Sequence, residues 1–134
     1  MAGAVLVAVL AFAGVKLGIE LWPSVAGRLT HIEPLVPPKT DGMEADVRQQ
    51  IEATTQRCLA VIRDSGATSR QKGLAWGDLG KTYLAFYFPE NAVPCLRNAV
   101  RLEPGEFRWH YLEAWALDRA GKTAEAPKPM ADAI

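Results

Sequence analysis

Apolar residues run without a charged side chain over positions 1–15, MAGAVLVAVLAFAGV, and the apolar character continues past Lys16 and Glu20 to Leu21 and Trp22. About twenty-two residues of helix rise roughly 33 Å, enough to cross a bilayer core. The pattern predicts a membrane helix over residues 1–22, with Val5, Leu10 and Phe12 in lipid and Trp22 at the interface. Lys16 and Glu20 stand one turn apart, where they can pair and reach the headgroups. Over residues 23–42 the pattern breaks. Pro23, Pro34, Pro37 and Pro38 and the lack of either periodicity predict an extended stalk along the membrane or across a partner, with His31 as a solvated or capping residue within it. Helical periodicity returns over residues 43–63, where Val47, Ile51, Thr54, Cys58, Leu59 and Ile62 share a face and Arg48, Gln49, Glu52, Gln56 and Arg57 lie elsewhere. Thr40 and Asp41 are its candidate N-caps. After the loop DSGATS a helix is predicted over residues 70–86, capped by Thr68 or Ser69. A further helix opens at Pro89 and runs to about Leu102, with Pro94 expected to kink it or shift its start and Pro104 to end it.

The segment 73–106 carries small and bulky residues at fixed offsets. Counting Gly73 as position one, Trp76, Leu79, Gly80 and Tyr83 stand at 4, 7, 8 and 11, and Ala92, Leu96, Ala99 and Pro104 at 20, 24, 27 and 32. Small residues at Gly80 and Ala92 let two helices cross, and the bulky ones fill the space around the crossing. At these residues the segment resembles a tetratricopeptide repeat, a 34-residue helix-turn-helix unit. In the next frame Ala114, Leu117, Gly121 and Ala126 take positions 8, 11, 15 and 20, with Met130 and Ala133 at 24 and 27, so 107–134 resembles an incomplete second repeat. It departs from the pattern at His110, Glu113, Pro127 and Pro129. Residues 43–63 do not fit the frame, because Gly42 and Asp46 occupy positions 4 and 8, and they read as a capping helix. The expected architecture is all-α: a single transmembrane helix over 1–22, a Pro-rich linker over 23–42 and a short repeat solenoid over 43–134. Such units bury their faces only against neighbours, and about three are needed. The missing layer is the helix over 43–63, chain beyond Ile134, or a partner.

The resemblance implies an inner groove lined by Leu74, Gly77, Lys81, Leu84 and Ala85, then by Arg108, Tyr111, Trp115, Asp118 and Arg119. The second set holds Trp, Tyr and Arg, the side chains that dominate interfaces. Lys81, Leu84, Arg108, Tyr111, Trp115 and Arg119 are therefore the expected protein-binding residues. The alternative is that Trp109, Tyr111 and Trp115 simply cover the neighbouring helix. Gly77 and Lys81 replace the Lys and Asn by which chaperone-binding relatives hold a terminal carboxylate, which argues against a chaperone adaptor.

Charge and chemistry narrow the reading further. Fifteen basic residues balance fifteen acidic ones, so no electrostatic case exists for nucleic acid. Cys58 and Cys95 form no CxxC; they read as buried small hydrophobes, a disulfide between them remaining open. Gly80-Lys81-Thr82 imitates the end of a phosphate-binding loop, but Ala75 stands where that loop needs glycine. Glu103, Glu106 and Glu113 read as capping or solvated acids rather than a catalytic cluster. No nucleophile, metal or cofactor signature stands out, so a non-enzyme with no cofactor and no small-molecule substrate is expected. The expected partners are a lipid bilayer and other protein subunits, in the role of an accessory subunit of a respiratory or photosynthetic inner-membrane complex. The alternative is an exported soluble module cut after Ala13. Lys16, Arg28 and Lys39 follow the apolar run and favour a cytoplasmic helical part. The likeness to short exported bacterial repeat proteins favours the periplasmic side.

Overall fold

The computed structural model describes residues 31–125, which contain helices and turns and no strand. The expected membrane helix, with Val5, Leu10, Phe12 and Trp22, lies outside the described residues, as does the chain past Glu125. Among the described residues no helix is long and apolar enough to cross a membrane. The described part is all-α.

Helix α1 spans Ala45–Arg63. Thr40 and Asp41 do not cap it. They open a tight turn instead, closed by the Met43 N–H donating to the Thr40 carbonyl at 3.1 Å, with Gly42 at φ 85° in the position where a type II turn needs a positive φ. Glu44 then precedes the helix without a side-chain cap. Ile51, Thr55 and Cys58 form the buried stripe of α1. Thr55, rather than Thr54, faces inward because its hydroxyl bonds the Ile51 carbonyl at 2.8 Å and meets the Tyr83 hydroxyl at 3.2 Å.

Helix α2 spans Ser69–Ala85 and opens on a complete capping box: Thr68 Oγ1 accepts from the Gln71 N–H at 3.1 Å, and Gln71 Oε1 from the Thr68 N–H at 2.8 Å. Helix α3 spans Pro89–Leu102 and continues through Pro94 from an unshifted start. The bond that Pro94 cannot make is the one to the Glu90 carbonyl, near the open N-terminal end, and Glu90 is exposed to water. Helix α4 spans Phe107–Arg119, with the Glu106 side chain accepting from the Arg108 N–H, and is followed by a short 3-10 turn at Thr123–Glu125.

The ends of α2 and α4 are built alike. After α2, the Tyr87 and Phe88 N–H groups donate to the carbonyls of Leu84 and Tyr83 at 3.1 and 2.8 Å; after α4, the Gly121 and Lys122 N–H groups donate to Asp118 and Leu117 at 3.1 and 2.8 Å. Both are Schellman caps, and the residues that close them, Tyr87 at φ 65° and Gly121 at φ 73°, are related by the 34-residue offset. Glycine occupies one site. A tyrosine occupies the other.

The core forms where α1, α3 and α4 pack around α2. Leu79, Tyr83, Leu96, Trp109 and Leu117 are fully buried. Glycines set how closely the helices approach. A Cβ at Gly80 would lie 2.6 Å from Leu96 Cγ, and one at Gly77 2.3 Å from the Trp109 ring. The Trp109 indole N–H donates to Glu103 Oε2 at 2.8 Å, and the Glu103 stem lies against Gly73. Gly77 is therefore a floor for Trp109, not a groove residue as expected, because the α4 indole needs the space that a side chain would fill. On the other flank α1 packs on α2 and provides one covering layer there.

Residues 33–36, expected along a membrane or partner, lie instead on α3 of the same chain. Asn98, buried completely, accepts from the Glu33 N–H at 2.8 Å and donates to the Glu33 carbonyl at 2.9 Å; the Asn91 amide donates to the Val36 carbonyl at 2.9 Å. An extended chain leaves its backbone groups unpaired, and the two asparagines satisfy them.

Candidate protein-docking cleft

The last turn of α2, the Tyr87 turn and the last turn of α4 surround a cleft of about 420 Å³ lined by Leu84, Ala85, Tyr87, Pro89, Trp115 and Arg119. Leu84, Ala85, Trp115 and Arg119 were expected in a groove, and the fold brings these four together. Trp115 remains 42% exposed, and the Arg119 guanidinium lies 5.3 Å from the centre of its ring. Arg119 also stands in the last turn of α4, where the helix dipole favours a cation. Tyr87, 82% exposed, was missed. Its signal was present in the sequence as the exchange of Gly121 for a tyrosine at the equivalent position of the preceding unit.

The other expected residues lie elsewhere. Lys81 pairs with Asp78 at 3.8 Å and borders a shallower depression between α1 and α2, shared with Thr54, Arg57 and Cys58. Arg108 binds Glu106 at 3.2 Å and covers the Trp109 ring at 4.7 Å, and its hydrogen bonds hold the Glu106 carboxyl below the ordinary range. Tyr111 is exposed on α4 and does not line the cleft. Of the α4 aromatics, Trp109 covers the neighbouring helix, while Phe107, Tyr111 and Trp115 face solvent.

Groups with reactive chemistry are placed structurally. Cys58 and Cys95 are free and buried. Burial raises the thiol pKa of both, with Cys95 pushed up to about 12, so neither is a thiolate at neutral pH. Gly80-Lys81-Thr82 lies inside α2, where no loop precedes a helix start that could cradle phosphate. The His110 ring nitrogen Nε2 is engaged with the Pro104 carbonyl at 2.8 Å. Glu106 caps α4, Glu103 accepts the Trp109 indole, and Glu113 is buried beside Arg97 at 3.5 Å. Burial raises the Glu113 carboxyl above its ordinary value, opposed by the charges of Arg97, His110 and Arg101. Among the described residues no group of three or more His, Cys, Asp or Glu side chains could hold a metal ion.

The cleft can bury apolar side chains between Leu84, Pro89, Tyr87 and Trp115 and offer one cation to an acceptor. That is the chemistry of peptide or helix docking. No protein-family model, curated protein or solved structure matches the chain.

Proposed function

We propose that the chain is a non-catalytic protein-interaction scaffold of the tetratricopeptide type. It acts as an accessory subunit of an inner-membrane complex, held to the bilayer by residues 1–22 on the periplasmic side. Its helical part takes a peptide or helix of a partner subunit into the cleft of Leu84, Tyr87, Trp115 and Arg119. The observation that carries the docking site is Tyr87. A non-glycine residue in the left-handed region costs about 1 kcal/mol or more, and the equivalent site avoids that cost with Gly121. Nor is the Tyr87 ring used to fill the core, because it is 82% exposed. Retained strain under an exposed aromatic next to Trp115 supports recognition of a partner.

The test is capture of tagged full-length protein from membranes in mild detergent, beside a Tyr87→Gly/Trp115→Ala variant. A fixed set of membrane subunits retained by the wild type and lost by the folded double variant is expected. Recovery of both proteins with the same companions would remove the cleft from the proposal. Recovery of the wild type alone, or from the soluble fraction, would overturn the accessory-subunit role.

A further inference from the structure

The face of α3 that carries Asn91, Asn98 and Arg101 adjoins the cleft only at its Asn91 end, where Asn91 shares a depression with Tyr87, Pro89 and Arg119, and it has a ligand of its own. Asn91 and Asn98 are two helical turns apart, a rise of about 10 Å. Three residues of extended chain, from Glu33 to Val36, cover about the same distance. The segment therefore runs antiparallel to α3 with its two ends in register with the two amides. Asn98 grips the Glu33 backbone through both atoms of its amide, at 2.8 and 2.9 Å, as a neighbouring strand would. This part of the contact is indifferent to side chain.

The rest is selective. The Glu33 carboxylate accepts from Arg101 Nη2 at 3.0 Å and lies 3.9 Å from Arg97 Nη1. Arg97 is positioned by Glu113 and Glu125, at 3.5 and 3.0 Å, so its guanidinium is fixed from α4 and the 3-10 turn. Arg101 Nη1 is buried with no hydrogen-bond partner among the described residues, leaving one more donor in the site. Leu35 packs against the core, and Pro34, which has no N–H to satisfy, keeps the segment extended. Backbone pairing supplies grip and the side-chain contacts supply choice, the division of labour in extended-peptide recognition.

We infer that this face of α3 is a binding site for an extended peptide with a glutamate two residues ahead of an apolar residue, occupied in this structure by the chain's own residues 33–36. The cis segment blocks it at the high effective concentration of a short tether. Releasing the segment opens the site to a strand of the same chemistry in trans.

The probe is a fluorescent peptide of residues 32–40, IEPLVPPKT, titrated by anisotropy into full-length wild type and into full-length Glu33→Lys, which repels its own strap from Arg97 and Arg101. The peptide is expected to bind Glu33→Lys at least about tenfold more tightly than wild type, in line with the loss of a tethered competitor. A probe with glutamine in place of its glutamate should bind several-fold more weakly, as expected for a lost charged hydrogen bond. Equal binding to the two folded proteins, or indifference to the glutamate, overturns the inference. Should Glu33→Lys not fold, hydrogen exchange on the wild type decides. Millimolar unlabelled peptide is expected to speed exchange of the Glu33 amide several-fold, and unchanged exchange overturns the inference.

Discussion

Replacing Gly77 by alanine places one methyl where the Trp109 ring already is. The added Cβ would sit 2.3 to 2.5 Å from three ring atoms, so the ring must retreat by about 1 Å to reach ordinary contact near 3.4 Å. A flexible side chain could do this cheaply; Trp109 cannot, because it is fully buried and its indole N–H is tied to Glu103 at 2.8 Å. Overpacking of this kind costs about 1–3 kcal/mol, and loss of a hydrogen bond to a charged group about 1.5–3 kcal/mol. The alanine returns about 0.5–1 kcal/mol through its better helix propensity. A net loss of about 2 kcal/mol or more follows, which lowers Tm by about 10 °C in a domain of this size. Urea unfolding of the full-length protein, followed by far-ultraviolet circular dichroism, measures it. Gly105→Ala, whose Cβ would meet nothing within 4 Å, is the control and should be close to neutral. A Gly77→Ala midpoint equal to or above wild type would refute the packing argument.

Tyr87→Gly should stabilise the fold by about 1 kcal/mol, because glycine adopts the left-handed cap conformation without the Cβ penalty; a lower urea midpoint would show that the exposed ring has a structural role. Glu113→Gln tests the buried carboxyl through pH. Its raised folded-state pKa means that the stabilising protonated form is fully present below the ordinary value of 4.5 and is lost as pH rises through the folded value. The Tm difference, variant minus wild type, should therefore become more positive between pH 4 and pH 7, and a shift in the opposite direction would show that pairing with Arg97 outweighs burial. Finally, a thiol-specific disulfide reagent should modify Cys58 and Cys95 only after denaturant is added, since both are buried and protonated. Rapid labelling of the native protein at pH 7 would contradict this.

The helices were legible because their signals are local. Thr68 with Gln71, and Pro89 at a first turn, encode starts within a few residues. Gly80 against Leu96 was also readable, because a small residue at a fixed offset inside an amphipathic helix marks a crossing. The same logic misled at Gly77, where the partner is the indole of Trp109, on a helix two elements further along the chain, and nothing local distinguishes a floor from a groove. Thr40 and Asp41 resembled caps because cap and turn residues overlap in chemistry, and Gly42 was the deciding residue. The course of residues 33–36 was invisible to periodicity, since it depends on Asn98, which lies 65 residues from Glu33. Four cleft residues, Leu84, Ala85, Trp115 and Arg119, could be read from the repeat frame. Tyr87 stood in the same frame, at the position that Gly121 holds in the next unit, but the left-handed cap that gives the exchange its meaning is visible only in three dimensions.

Trp109 is sealed beneath α2, while Trp115 stands 42% exposed at the rim of the cleft, two turns along the same helix. The polypeptide thus contains its own optical probe. Light emitted by the buried Trp76 and Trp109 reports the integrity of the interior, whereas Trp115 is open to collisional quenchers, and an occupant of the cleft would shield it from them while leaving the interior signal unchanged. With Trp22 replaced by phenylalanine, docking and unfolding can in this way be told apart without an added label.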